Sequence, residues 1–162
     1  MNQDVLTLSQ SLAKLLINGK QSLSVAESCT GGWLSKTLTD LPGSSAWFSG
    51  SVVSYSNKAK QNILNVSDKA LVENGAVSAL VAEGMAEGVM QAFESSFSIS
   101  ITGIAGPGGG TKSKLVGLVF FGVKRKGLAA YSIQKNFSGS RDEIRLQAVE
   151  EALRILLVEV TQ

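Results

Sequence analysis

Hydrophobic residues recur along this chain with two different periods, and the change of period marks the elements. Residues 5–16 carry apolar side chains at helical spacing, so an amphipathic helix is predicted there. Residues 97–102 alternate with a period of two, which is typical of a strand. The unbroken apolar run at 116–123 predicts a central strand, because a strand that is buried on both faces is apolar throughout.

Glycine, proline and capping residues mark the limits of the remaining elements. We predict strands at 23–26, 52–55 and 128–137, and helices at 32–41, 56–64, 68–74, 79–94 and from Ser140 onward. Glu143 follows Ser140 by three residues, which is the spacing of a capping box. Residues 44–50 are predicted to form a loop, whose Trp47 and Phe48 are either a core plug or the wall of a pocket.

The order of these elements indicates the fold class. Helices and strands alternate first, and a β-hairpin comes late in the chain, at 116–137. This order predicts an α/β fold, a three-layer α/β/α sandwich with a mixed, mainly parallel sheet. No internal repeat and no long linker divides the 162 residues, so a single domain over 1–162 is predicted.

The absence of histidine and the presence of a single cysteine restrict the chemistry. The chain has no histidine, which excludes Ser-His-Asp and Cys-His catalysis and the histidine-based zinc motifs. It has one cysteine, Cys29, which excludes thiolate clusters and an intrachain disulfide. An enzymatic base must therefore be lysine, aspartate, glutamate or tyrosine. No close acidic cluster indicates a metal held by carboxylates, and we expect neither a metal nor a cofactor.

Charge and hydropathy bear on partners and location. The net charge of +2 is too small to argue for binding of nucleic acid or an anionic membrane. The one dense basic run, at 124–126, fits the solvated tip of a hairpin. Neither a signal peptide nor an apolar run of membrane-spanning length is evident. We therefore expect a reducing, cytoplasmic setting, with no nucleic acid and no membrane as partner.

Three polar segments, at 27–32, 55–60 and 102–110, follow predicted strands. Ligands of open α/β sheets bind at the carboxyl ends of strands, so these segments converge if their strands are parallel neighbours. The first segment opens a helix, whose initial N–H groups favour anions and developing oxyanions. A tight turn capped by Thr30 explains the same segment, and both interpretations stay open.

The glycine-rich segment 103–110 matches neither common phosphate-binding motif. Thr111 precedes Lys112 and Ser113, so the Gly-Lys-[Ser/Thr] of a Walker A loop is missing. A dinucleotide fingerprint that used Gly106 and Gly108 would need a glycine at 111. A flexible loop and a substrate-binding loop remain as alternatives, and we predict that 108–114 is mobile without a ligand.

Ser28 is the candidate nucleophile, and without histidine it requires another base. Lys60 is the best candidate, because a partly desolvated lysine near hydroxyls and N–H dipoles can lose its proton near neutral pH. Tyr55 could relay a proton. Each of the three also has a structural interpretation, as a turn serine, a surface lysine and a core tyrosine.

Four motifs occur together and in order. They are Ala-Glu-Ser-Cys-Thr-Gly-Gly at 26–32, Tyr-Ser-Asn-x-x-Lys at 55–60, Gly-Ala-Val-Ser at 75–78 and Thr-Gly-Ile-Ala-Gly-Pro at 102–107. In these motifs the chain closely resembles the C-terminal domain family of the competence/damage-inducible protein CinA. That family includes stand-alone nicotinamide mononucleotide (NMN) deamidases, and the resemblance covers nearly the whole chain.

The resemblance implies a fold and a reaction. The fold is a compact α/β/α sandwich that is usually oligomeric, so a homo-oligomer (dimer or higher) is expected. The reaction is hydrolysis of the NMN carboxamide to nicotinate mononucleotide and ammonia, within pyridine nucleotide recycling. The expected partner is thus a small-molecule nucleotide substrate. The family's serine nucleophile corresponds to Ser28, and its lysine and tyrosine correspond to Lys60 and Tyr55.

The substrate-binding residues belong to a mechanistic hypothesis built on this correspondence. N–H groups around Thr30, Gly31 and Gly32 are expected to stabilise the oxyanion. Thr102 and the loop that begins at Gly103 and includes Gly106 are expected to hold the nucleotide. Arg141 is expected to meet its phosphate. By chemistry alone, Cys29 is the alternative nucleophile.

The chain departs from the family's usual pattern at loop positions. It has Ser51 in place of a second glycine, Gly108 in place of an acidic residue, and Leu115 in place of a proline. Residues 137–141 read Phe-Ser-Gly-Ser-Arg instead of Phe-Pro-Gly-Asp-Arg. Two function classes are therefore retained: an NMN amidohydrolase, and a diverged paralogue that binds a nucleotide with little or no turnover.

Overall fold

A computed structural model of the chain describes residues 3–162. Its strands are β1 (Leu23–Glu27), β2 (Phe48–Val53), β3 (Phe97–Gly103), β4 (Leu118–Arg125) and β5 (Tyr131–Asn136). Its helices are α1 (Gln3–Asn18), α2 (Trp33–Thr39), α3 (Asn57–Leu64), α4 (Asp68–Asn74), α5 (Ala79–Phe93) and α6 (Arg141–Thr161). A short 3₁₀ turn, Ser44–Ala46, precedes β2.

The strands form one mixed sheet in the order β2-β1-β3-β4-β5. β1 pairs in parallel with β2 and with β3, whereas β4 pairs antiparallel with β3 and with β5. The predicted α/β fold with a mixed sheet is confirmed. Every strand except β4 runs in the same direction, although the parallel and antiparallel pairings are equal in number.

Helices cover both faces of the sheet, as a three-layer sandwich requires. α1, α2 and α6 bury one face in a large apolar cluster that includes Leu23, Val25 and Phe121. α5 covers the other face, with α3 and α4 packed against it. Ala26 alternates with Val25 along β1 and belongs to this second, smaller cluster, as the pleat of a strand requires.

α5 lies close to the sheet because small residues face one another across the interface. A Cβ atom on Gly122 of β4 would lie only 2.0 Å from the carbonyl oxygen of Ala82. Ser100 and Ser98 of β3 donate hydrogen bonds to the carbonyls of Ala82 and Ala86, at 2.5 and 2.7 Å. These bonds satisfy the buried hydroxyls and fix the helix on the sheet.

Element boundaries differ from the sequence prediction mainly around β2. Residues 48–50, predicted as loop, belong to β2, because Phe48 pairs with Leu23 at the start of β1. The strand ends at Val53, so Tyr55 lies beyond it. Trp47 is 2% exposed and is a core plug. The capping box between Ser140 and Glu143 is confirmed.

The two strands of the late hairpin also begin at later residues than the sequence predicted. β4 begins at Leu118 and not at 116, because Gly117 has a φ of +95° and leaves the strand conformation. β5 begins at Tyr131 and not at 128. Within residues 3–162, none of the helices is both long and apolar enough to cross a membrane.

Candidate active site

The three polar segments identified in the sequence converge at one end of the sheet. β2, β1 and β3 are parallel neighbours, so their carboxyl ends lie side by side. A cavity of about 220 Å³ opens there. Its lining consists of Ser28, Cys29, Tyr55, Lys60, Ala76, Val77, Thr102, Gly103, Ala105 and Arg141.

Ser28 and Lys60 are in direct contact in this cavity. The Nζ atom of Lys60 lies 2.9 Å from the Oγ atom of Ser28 and 2.7 Å from the carbonyl oxygen of Ser54. Ser56 caps α3, and Lys60 therefore projects inward from the first turns of that helix. The side chain of Lys60 is only 1% exposed, so a surface role for this lysine is excluded.

Burial gives Lys60 the properties of a base. Loss of solvent lowers the pKa of Lys60 to about 8, and the neighbouring thiol of Cys29 opposes this shift. With that pKa, about a tenth of the side chain is neutral at pH 7. The neutral amine has a lone pair with which it can accept the hydroxyl proton of Ser28 across the observed contact.

Cys29 is poorly suited to act as the nucleophile. Its side chain is 7% exposed, and burial raises the pKa of its thiol to about 11, with the nearby carboxylate of Glu27 adding to the effect. Because the thiolate is the reactive form of cysteine, Cys29 is unreactive near neutral pH. The geometry favours Ser28, which has its candidate base within hydrogen-bond distance.

The buried carboxylate of Glu27 occupies the start of α2. It accepts hydrogen bonds from the N–H groups of Gly32, Leu34 and Ser35, at 3.0, 3.1 and 2.8 Å. The hydroxyl of Ser35 also donates to it, at 2.5 Å. The orphan amides of the helix and its dipole are thereby satisfied by a fixed negative charge, so they are not free to bind a substrate anion.

The roles predicted for Gly31 and Gly32 require correction. The N–H group of Gly31 donates to the carbonyl of Ser28, at 3.1 Å, and that of Gly32 donates to Glu27. Both glycines line a neighbouring cavity, beside Trp33 and not beside the Ser28 hydroxyl. Neither amide can therefore stabilise an oxyanion at Ser28 in this conformation.

Two other amides of the turn are available for that purpose. The N–H group of Thr30 has no acceptor among residues 3–162, and that of Cys29 meets only the sulfur of its own side chain. The buried hydroxyl of Thr30 also lacks a partner within this part of the chain. The amide that follows a nucleophile is well placed to meet an oxyanion, so the amide of Cys29, which lines the cavity, joins that of Thr30 as a candidate oxyanion donor.

Tyr55 and Arg141 stand together at the mouth of the cavity. Tyr55 is 61% exposed, so it is not a core tyrosine, and its hydroxyl accepts a hydrogen bond from Nη2 of Arg141 at 3.1 Å. Nη1 of Arg141 donates to the carbonyl of Gly106 at 2.7 Å. Both of these partners are neutral, which leaves the positive charge of Arg141 available to an anion.

Thr102 and Gly103 shape the wall of the cavity. The hydroxyl of Thr102 donates to the carbonyl of Ala76 at 2.8 Å, which ties β3 to the segment before α5. A Cβ atom on Gly103 would lie 2.7 Å from Val119 and 2.8 Å from the carbonyl of Leu118, so only glycine fits there. This part of the predicted substrate loop thus adjoins Ser28.

The remainder of the predicted substrate loop lies farther away. Residues 107–112 line a separate, open cavity together with Leu115 and Val116. The loop folds back on itself through a hydrogen bond of 2.7 Å from the N–H of Thr111 to the carbonyl of Lys114. The amine of Lys114 donates to the carbonyl of Asn74 at the end of α4, which anchors the loop.

Sequence reasoning missed two groups that border the site. Nε and Nη2 of Arg145 donate to the carbonyls of Cys29 and Thr30, at 3.2 and 2.9 Å. Arg145 follows Arg141 by four residues, so both project from the same face of α6, and this spacing was the available signal. The carbonyl of Ser54 carried no signal, because any residue type supplies a backbone carbonyl.

Within residues 3–162, no group of three or more His, Cys, Asp or Glu side chains is arranged to hold a metal ion. The polar groups that line the Ser28 cavity are instead hydroxyls, an amine, a guanidinium and a thiol. This set suits an organic substrate with a polarised carbonyl and an anionic group.

Comparison with solved structures supports the assignment of the fold. The competence/damage inducible protein CihA from Agrobacterium tumefaciens superposes with a TM-score of 0.95 at 36% identity, covering 100% of this chain and 98% of that one. A competence-damaged protein (CinA) superfamily protein from Klebsiella pneumoniae gives a TM-score of 0.94 at 31% identity, covering 98% and 99% of the two chains.

Sequence comparison gives the same family. A CinA-like protein of Endomicrobium trichonymphae is 47% identical over 150 residues, which are 93% of this chain and 35% of that protein. One from Synechococcus elongatus is 46% identical over 149 residues, 91% of this chain and 35% of that protein. The chain thus spans about a third of the length of these relatives. The family model for the CinA C-terminal domain matches residues 5–160, and the chain belongs to that family.

Proposed function

We propose that this protein is an amidohydrolase that converts NMN to nicotinate mononucleotide and ammonia. The observation that carries the proposal is the 2.9 Å contact between the hydroxyl of Ser28 and the amine of Lys60, whose side chain is only 1% exposed. A serine with a desolvated lysine as its base is a complete nucleophile without histidine. Membership of the CinA C-terminal domain family supports the choice of reaction.

The proposed reaction begins with attack by Ser28. Its Oγ atom bonds to the carboxamide carbon while neutral Lys60 accepts the hydroxyl proton. The N–H groups of Cys29 and Thr30 stabilise the negative oxygen of the tetrahedral intermediate. Protonated Lys60, assisted by Tyr55, returns the proton to the departing nitrogen, and ammonia leaves an acyl-serine. Water then attacks the acyl carbon while Lys60 takes its proton, and Lys60 returns that proton to the Ser28 oxygen as the ester bond breaks and nicotinate mononucleotide leaves.

The mouth of the cavity suits the rest of the nucleotide. In this arrangement the nicotinamide ring enters the cavity toward Ser28, and the ribose phosphate extends outward. The phosphate then meets the guanidinium of Arg141, whose hydrogen-bond partners within residues 3–162 are the neutral Tyr55 hydroxyl and Gly106 carbonyl. The wall formed by Thr102 and Gly103 holds the ring from the side.

A second candidate function is that of a nucleotide-binding paralogue with little or no turnover. The observation that favours it is the position of the glycine-rich loop, whose residues 107–112 line a separate cavity and not the one around Ser28. In either case we propose, on family grounds, a homo-oligomer in the cytoplasm.

Release of ammonia from NMN tests the proposal. Ser28→Ala should reduce turnover by about 10³-fold or more, because the covalent route is lost. Cys29→Ala is the matched control and should retain turnover within about threefold, since its protonated thiol takes no part in the reaction.

Three other outcomes would redirect the assignment. Near-wild-type turnover by Ser28→Ala would refute the serine role, and loss of turnover in Cys29→Ala alone would transfer that role to the thiol. If the wild type released no ammonia but NMN still raised its melting temperature, the binding paralogue would be the correct function.

A further inference from the structure

Hydrogen bonds to backbone C=O and N–H groups hold the turn that follows β1. In a trans peptide unit the C=O and N–H bonds point in opposite directions, so a hydrogen bond at one end fixes the direction of the other. Within residues 3–162 the one cis bond joins Gly106 and Pro107, so all the peptide bonds of this turn are trans. The free N–H groups of the turn can therefore be located from the partners of its carbonyls.

Each free amide belongs to a peptide unit whose carbonyl is already bound. The carbonyl of Ser28 accepts from the N–H of Gly31, and the same unit carries the N–H of Cys29, which meets only its own sulfur. The carbonyl of Cys29 accepts from Nε of Arg145, and that unit carries the free N–H of Thr30. One of these two restraints is internal to the turn, whereas the other depends on a side chain of α6.

Arg145 is itself held firmly. Its guanidinium lies over the ring of Trp33, 5.1 Å from the ring centre, and Nη1 lies 3.4 Å from a carboxylate oxygen of Asp142. Nη2 donates to the carbonyl of Thr30, so the planar fork spans two consecutive carbonyls. A lysine could not reproduce this contact, because an ammonium group has no fixed pair of parallel donors.

Arg145 contacts the turn from outside the reactive cavity. It lines the neighbouring cavity with Gly31 and Trp33, whereas Ser28 and Cys29 line the reactive one. Because Arg145 draws the carbonyl of Cys29 toward itself, the N–H of Thr30 points away from Arg145.

We propose that Arg145 is a positioning residue, which sets the direction of the Thr30 amide for an oxyanion formed at Ser28. The inference rests on the proposed function, in that Ser28 attacks a carbonyl, but Arg145 contacts neither Ser28 nor the substrate. Glu27 restrains the same turn from the amide side, by holding the N–H of Gly32. Loss of Arg145 frees the unit between Cys29 and Thr30 to rotate, and the second oxyanion donor is then misdirected.

A fluorophosphonate probe tests the inference without relying on NMN. Ser28 Oγ bonds to phosphorus, the P–F bond breaks, fluoride leaves and Lys60 takes the hydroxyl proton. The phosphoryl oxygen occupies the position of the oxyanion. Loss of one such donor costs an enzyme about 10²–10³-fold, so misdirecting it in Arg145→Gln should slow labelling about 10–100-fold. Arg154→Gln, at an exposed position on the same helix, is the matched control and should label at the wild-type rate.

Further measurements separate positioning from a general structural defect. In Arg145→Gln, kcat for NMN should fall by the same factor as labelling while KM stays within about twofold, because a transition-state contact is lost. The pH at half-maximal labelling should not move, because Lys60 is untouched. Guanidinium chloride at tens of millimolar should accelerate labelling of Arg145→Ala, and sodium chloride should not.

The outcomes distinguish this inference from the proposed function. Labelling of Arg145→Gln at the wild-type rate would overturn the inference, as would equal slowing in Arg154→Gln or absence of labelling at Ser28 in the wild type. If the wild type is labelled at Ser28 in an Arg145-dependent manner but releases no ammonia from NMN, the inference stands and the proposed substrate is wrong.

Discussion

Ser28 of the Ser28–Lys60 pair follows β1, and the loop at 108–114 follows β3, the strand beside it. The two regions differ in their burial and in their hydrogen bonds. Both members of the pair are buried, and Lys60 contacts the Ser28 hydroxyl and the Ser54 carbonyl. Residues 108–113 are exposed, and the hydrogen bonds of Thr111 stay within the loop. The contact between Lys114 and Asn74 ties the loop to the rest of the protein.

The comparison teaches that the candidate reactive pair and the loop are held by different kinds of structure. The reactive pair is fixed by a strand end, a capped helix and buried hydrogen bonds, so few changes there would be tolerated. The loop has few restraints and can change without disturbing the pair. The departures from the family pattern at Gly108 and Leu115 lie in or beside this loop, whereas Ser28, Tyr55 and Lys60 match it.

The largest effect is expected where the buried pair is broken. Lys60→Met keeps the length and apolar stem of the side chain but removes the base, so turnover of NMN should fall about 10³-fold, within the range for general bases. Lys58→Met, at an exposed position on the same helix, is the control and should leave turnover within about twofold. Ammonia release measures both, and more than about a tenth of wild-type turnover in Lys60→Met would exclude lysine as the base.

The next largest effect is expected in the pH dependence of kcat/KM, which the Ser28–Lys60 pair determines. The base form of Lys60 is the neutral amine, and its pKa is lowered to about 8 by burial. The neutral fraction therefore grows as pH rises, and kcat/KM for NMN should climb from pH 6 and level off above about pH 9. A profile that is flat between pH 6 and 9 would contradict a lysine base of this kind.

Stability supplies an independent check on the same pKa. In the unfolded chain Lys60 regains its ordinary pKa of 10.5, so between about pH 8 and 10.5 the unfolded state binds more protons than the folded state. The free energy of unfolding of the wild type, relative to Lys60→Met, should therefore rise with pH across that window. Denaturant unfolding at pH 7.5 and 10 measures this difference, and the absence of a rise would show that burial does not depress the pKa.

The same division explains what the sequence could and could not predict. The helices, the strand order along the chain and the capping box of Ser140 depend on local patterns, and the pattern predicted them closely. The start of β2 was missed because Phe48 pairs with β1 through its backbone, which leaves little trace in side-chain periodicity. The convergence of Ser28 with Lys60 followed from the rule that ligands meet parallel strand ends, together with the family resemblance.

The errors in the site have a tertiary origin. Gly31 and Gly32 lie at a helix start, where free amides are expected, but Glu27 folds back over that start and Gly31 bonds to Ser28. Arg145 reaches the turn from a helix more than a hundred residues away in sequence. Which amide stays free is decided by such distant partners, and local sequence patterns do not contain this information.

The smallest effect is expected in the loop, where a restraint can be added. A Cβ atom on Gly108 would meet nothing within 4 Å, so Gly108→Ala fits the present conformation. Alanine reduces the freedom of the unfolded chain, which should add about 0.4–1 kcal/mol to the free energy of unfolding. For a domain of this size that corresponds to a rise in melting temperature of about 1–3 °C.

Gly109→Ala provides the matched control within the same loop, because Gly109 has a φ of +84°. That conformation costs an L-residue about 1–2 kcal/mol, so this variant should melt at a lower temperature. Hydrogen exchange at 108–114 should slow in Gly108→Ala and quicken in Gly109→Ala, while kcat for NMN stays unchanged in both because the Ser28–Lys60 pair is untouched. A change in kcat in Gly108→Ala would show that the loop and the pair are coupled, and the independence of the two regions would then be refuted.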